Sequence, residues 1–171
     1  GRWAELADKA ADKIDDHIFA FHDAHYMMAL AADGRRSAAD AMLASMQAAA
    51  ARTGTTEGPI FREVGLALCR AVAAYGRGDY GAAADLLAPI RRAVVRIGGS
   101  HAQRDLFFRL LVAAALRSGR YRLARALTAE RNALNPGSAW GLKREAEALA
   151  GLGETAAAET ERRRAAALLA A

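Results

Sequence analysis

The stretch AAYGRGDYGAAADLL, Ala73 to Leu87, decides how this chain folds. Gly78 interrupts an alanine-rich run that would otherwise continue as helix, because alanine is the strongest helix former and glycine readily takes the left-handed backbone that ends one. Five residues past that glycine stands Ala83, whose methyl side chain lets a second helix lie close against the first. The same spacing recurs in DGRRSAA (Gly34 and Ala39), SGRYRLA (Gly119 and Ala124) and LGETAAA (Gly153 and Ala158), at intervals of 44, 41 and 34 residues. Tyr80 and Tyr121 each follow their glycine by two positions, where an aromatic ring would plug the corner of a bend. A hairpin of two helices cannot bury its apolar faces alone, so the pattern predicts stacked hairpins forming a right-handed α-α superhelix with a concave surface.

Composition agrees with an all-α chain. Alanine supplies 46 of the 171 residues, whereas valine, isoleucine and threonine, which favour a pleated sheet, supply sixteen. Glycine and proline punctuation predicts about eight helices within a single domain, 1–171, over 5–33, 36–52, 59–76, 80–96, 101–118, 121–134, 138–151 and 154–170. Pro59 suits a first helical position and Ser138 of NPGS suits a cap. Pro89 falls inside the fourth segment and predicts a kink there. The closing ETAAAETERRRAAALLAA is polar along one side, as a terminal cap should be, and pairs Glu159 with Arg163 at helical spacing.

Charge and cysteine content narrow the function classes. The formal net charge is +5, but the 21 arginines and 3 lysines are scattered rather than clustered or interleaved with aromatics, so nucleic acid is not an expected partner. No apolar run approaches the roughly 18 residues of a membrane span, which predicts a soluble, cytoplasmic protein without a membrane partner. Cys69, alone and flanked by apolar residues, reads as a small buried hydrophobe. A chain that starts at Gly1 without methionine reads as part of a longer protein.

The segments IGGSHAQRD (Ile97 to Asp105), RLARALTAERNALNPGSAW (Arg122 to Trp140), FHDAHYMMAL (Phe21 to Leu30) and YGRGDYGAAADLLAPIR (Tyr75 to Arg91) resemble the C-terminal portion of the tetratricopeptide repeat protein 38 family. The last of the glycine intervals, 34 residues, is the length of a tetratricopeptide repeat. The resemblance implies an irregular tetratricopeptide-like α-solenoid preceded by further repeats, and no shared reaction or substrate. His22 stands where the family pattern has asparagine.

Two stretches carry the candidate binding residues. On the first predicted helix lie His17, His22, Asp23 and His25; the stripe Ile14, Ile18, Phe21, His25 and Met28 places His25 among core residues, and the HxxH spacing lacks the glutamate of a metalloprotease. Buried, hydrogen-bonded histidines are the reading favoured over a pocket or a metal site. In GGSHAQRD, Ser100 and Gln103 form a capping box, while Arg104 and Asp105 read as ion pairs to neighbouring helices or, with Ser100 and His101, as the wall of an anion site at a helix start. No catalytic triad, metal site or cofactor motif is present; GRGDYG lacks the strand and lysine of a phosphate loop. Phe107, Phe108, Tyr80 and Tyr121 read as packing residues.

The function expected from these readings is a protein- or peptide-binding scaffold, with Asp23, His25, Ser100, His101, Arg104 and Asp105 as binding residues. A different class, an enzyme or small-molecule or anion binder, requires FHDAH and GGSHAQRD to meet in space as two walls of one pocket. A third reading, packing onto preceding repeats or homodimerisation, requires exposed apolar residues on the first helix.

Overall fold

The computed structural model describes residues 2–170, and among these every regular element is helical, with no strand. In chain order the helices are α1 (Arg2–Ala11), α2 (Ala20–Ala32), α3 (Arg36–Ala51), α4 (Glu57–Ile60), α5 (Leu66–Gly76), α6 (Tyr80–Ile90), α7 (His101–Arg117), α8 (Tyr121–Leu134), α9 (Ala139–Gly151) and α10 (Thr155–Ala170). A π-helical turn, Phe61–Gly65, joins α4 to α5, and a 3-10 turn, Ala93–Ile97, follows α6.

All four bends share one geometry. Gly34, Gly78, Gly119 and Gly153 have φ of 71°, 84°, 71° and 80°. At each, the amide after the glycine donates back to a carbonyl in the last turn of the helix: Arg35 to Leu30 (2.9 Å), Asp79 to Ala74 (3.0 Å), Arg120 to Ala115 (2.9 Å) and Glu154 to Leu149 (2.9 Å). This is the Schellman closure, which satisfies helix-end carbonyls that would otherwise lack donors. The alanines five residues on, Ala39, Ala83, Ala124 and Ala158, are all buried. Each bend is therefore followed, five residues on, by a buried methyl group.

The chain divides into two compact units, the first running to Leu111 and the second starting at Val112, with the division falling inside α7. In the first unit α2 packs against α1, α3 and α5, and α5 packs against α6. Met27, Leu30, Met42, Met46, Phe61, Leu68 and Phe107 are among its fully buried side chains. Helix ends come so close that a Cβ built on Gly76 would lie 2.8 Å from the Ala31 methyl. Tyr80 meets Tyr75 across the Gly78 bend, with ring centroids 5.0 Å apart. In the second unit Ala115, Ala124 and Ala148 bring α7, α8 and α9 together, and α10 packs on α9 through Ala158 and Ala165. Here Tyr121 lies over Gly151 of α9, where a Cβ would overlap its ring. Arg131 stacks over Trp140 at 5.2 Å, and Asn132 donates to Glu145 at 2.6 Å, tying α8 to α9.

Several boundaries differ from the sequence reading. The predicted segment 5–33 is two helices, because the chain turns over residues 12–18 and His17 adopts φ 42°, the one positive value outside glycine among the described residues. The predicted stripe through Ile14 and Ile18 is broken with it, and Ile18 is 59% exposed. Helix α4 starts at Glu57, which makes Pro59 its third residue; it still lies in the first turn, where the missing amide hydrogen is unneeded. Pro89 ends α6 at Ile90 and passes the chain to a 3-10 turn instead of kinking one long helix. In α10 the ion pairs are Arg162 with Glu159 (3.4 Å) and Arg164 with Glu161 (2.8 Å), not Glu159 with Arg163. No described helix is long and apolar enough to cross a membrane.

Candidate functional site

At the corner between α1 and α2, a short polar connection folds back under the first unit. Lys13 pairs with Asp16 at 3.1 Å on its surface, while His17 turns inward. Its Nδ1 donates to Asp23 Oδ2 at 2.8 Å, with side chains 0% and 1% exposed. These are the buried polar residues of the first unit among those described. The His17 ring meets the edge of Phe61, centroids 5.9 Å apart, where the π-helical turn begins. His17 Nε2 and Asp23 Oδ1 have no hydrogen-bond partner among the described residues. Burial, and secondarily the charge on Asp23, push the Cys69 thiol well above its ordinary value, so Cys69 behaves as the buried hydrophobe its neighbours predict.

One turn further along α2 the chain meets the start of α7. His25, half-buried, shares its Nδ1 with the Phe21 carbonyl at 2.7 Å and sets its ring against the buried Phe107, centroids 5.8 Å apart. Phe21 itself lies on Gly99, whose φ of 76° and missing side chain make room for the ring. The two predicted walls therefore do meet within the first unit. His22, by contrast, is exposed and packs edge-on against Phe19.

At the start of α7 the side chains of Ser100, Gln103 and Arg104 are engaged with the backbone. Gln103 N donates to Ser100 Oγ (3.3 Å) and Ser100 N donates to Gln103 Oε1 (2.8 Å), the reciprocal capping box read from the sequence. Arg104 turns back to the carbonyls of Gly98 (3.2 Å) and Gly99, and Asp105 accepts from Arg109 of the same helix at 2.7 Å. Arg104 thus braces the turn ahead of its own helix instead of pairing with a neighbouring helix, and Asp105 bonds Arg109 one turn further on. Ser100 and His101 are exposed. Replacing Ser100 by alanine should cost about 1 kcal/mol, the usual worth of an N-cap side chain; urea unfolding measures it.

Of the six sequence-predicted site residues, Asp23 is buried in a pair with His17, His25 lines the contact with α7, Ser100 immediately precedes α7, and His101, Arg104 and Asp105 lie in its first turn and a half. Sequence reasoning grouped His17 with the helix and so missed its inward turn; the acidic run Asp12, Asp15 and Asp16 ahead of it, poor in helix propensity, is the signal that locates the break. It also gave no sign of the π-helical turn. Among the described residues no group of three or more His, Cys, Asp or Glu could hold a metal ion. No protein-family model matches the chain, and no solved structure matches it significantly.

Proposed function

We propose that this chain is an interaction scaffold, a right-handed tetratricopeptide-like array of helical hairpins whose exposed helix faces bind a peptide segment of a protein partner. The observation that carries this reading is the bend, repeated four times with one hydrogen-bond pattern and a buried alanine five residues on. Equivalent hairpins placed in series present a row of like surfaces, the usual basis of extended peptide recognition by helical repeats. The resemblance to the tetratricopeptide repeat protein 38 family points the same way. The helix caps here serve the backbone and the buried His17 and Asp23 pair with each other, which leaves recognition to exposed side chains.

Peptide display against the whole chain tests the proposal. The expected result is a related set of bound peptides whose affinity falls when exposed polar residues are replaced by alanine, with the melting temperature unchanged. No enriched peptide, or losses that always accompany unfolding, would contradict it. A second reading, a small-molecule or anion binder between α2 and the start of α7, draws on the contacts of Phe21 with Gly99 and His25 with Phe107. Ser100, Gln103 and Arg104 already bond backbone groups there, which favours the scaffold.

A further inference from the structure

Where the Gly34 bend meets the end of α5, a cleft has an apolar floor of Leu30, Ala31, Ala39 and Ala73 and a rim of Arg35, Arg36 and Arg77. The three guanidiniums differ in their partners. Arg35 is held by Asp33 at 2.8 Å and Asp8 at 2.7 Å. Arg36 and Arg77 are exposed and form no ion pair among the described residues. Nor do the neighbouring helix ends need their side chains as caps. The last carbonyls of α2 accept from the amides of Gly34 (3.3 Å) and Arg35 (2.9 Å), and those of α5 accept from Arg77 (3.1 Å), Gly78 (3.0 Å) and Asp79 (3.0 Å). The glycine bends thus complete both helix ends with backbone alone and leave two arginines over an apolar floor.

We propose that this cleft is the docking point for an acidic peptide segment, with a carboxylate side chain on Arg36 and Arg77 and a small apolar neighbour on the floor between α2, α3 and α5. The inference rests on the scaffold reading above and names the chemistry of its partner. Arginine suits the task because its planar fork grips a carboxylate with two parallel hydrogen bonds. The apolar floor selects a peptide over a free anion, since a bare oxyanion gains nothing from it.

The test is an amide-resolved NMR titration of the whole chain with acetylated, amidated Leu-Glu-Ala-Glu, with Leu-Gln-Ala-Gln and inorganic phosphate as separate arms at matched ionic strength. The expected result is saturable shifts at the Ala31, Gly34 and Gly76 amides with the glutamate peptide and none with the glutamine peptide. The Arg36→Ala/Arg77→Ala variant should bind about tenfold more weakly at an unchanged melting temperature, and Arg36→Lys/Arg77→Lys should recover part of the loss. Absent shifts at these amides, or equal binding by the alanine variant, would overturn the site. Phosphate saturating it as well as the peptide would overturn the peptide assignment. Display-selected peptides that bind the alanine variant undiminished would overturn the cleft while leaving the scaffold reading in place.

Discussion

Replacing Asp23 by alanine should lower the unfolding free energy by about 3–5 kcal/mol, the cost of removing one member of a buried, hydrogen-bonded ionisable pair. Neither His17 nor Asp23 is more than 1% exposed at its side chain, so water does not take over the lost bond. In the variant, His17 Nδ1 is left without an acceptor in an apolar surround that includes Phe61. His17 also sits at φ 42°, a conformation that a non-glycine residue holds only when its surroundings fix it, so loss of the bond also frees the corner between α1 and α2. A double-mutant cycle in urea with His17→Ala, Asp23→Ala and the pair measures the coupling. Strictly additive losses would show that the two side chains are not bonded.

Ala124→Leu should destabilise by about 1–3 kcal/mol, toward the upper end, because three extra carbons have nowhere to go. Ala124 is fully buried with Ala115 of α7 and Ala148 of α9 around it, and its carbonyl accepts from the buried Thr128 hydroxyl at 2.9 Å. Two positions along, Ala126 is exposed, and Ala126→Leu should change stability by less than about 0.5 kcal/mol. Comparing the two variants by chemical denaturation separates packing from helix propensity, since both replace the same residue within the same helix. Equal tolerance at both positions would mean that α8 does not approach its neighbours through that alanine.

The bends were the most legible part of the chain, because a glycine followed five residues later by alanine states a backbone requirement and a packing requirement together. Gly34, Gly78, Gly119 and Gly153 all meet the first, and their alanines meet the second. Capping by Ser100 and Ser138 was legible for the same reason, since each is a local hydrogen bond fixed by spacing. What local spacing does not encode was lost. The inward turn of His17 is held by a bond to a residue six positions on, and the π-helical turn at Phe61–Gly65 lies where α2, α3 and α5 pack on that segment. At the candidate site, α2 and the start of α7 do meet, but what each side chain does there depends on tertiary geometry. Arg104 reads from spacing as an ion-pair partner or as the wall of an anion site, and its reach to the Gly98 and Gly99 carbonyls is geometry that spacing does not state.

Four left-handed glycine bends of equal geometry organise the chain, and alanine substitution at each of them probes that organisation. Nothing lies within 4 Å of a Cβ built on Gly34, Gly78, Gly119 or Gly153, so steric overlap cannot contribute and only the backbone conformation is probed. Each Gly→Ala variant should lose about 1–2 kcal/mol in urea unfolding, the cost of holding an L-residue in the left-handed region. Gly137→Ala, at an exposed glycine without a positive φ, should lose far less. Losses at all four bends that exceed the Gly137 control would show that the left-handed turns hold the helix ends. Alanine tolerated at the bends as well as at Gly137 would contradict it.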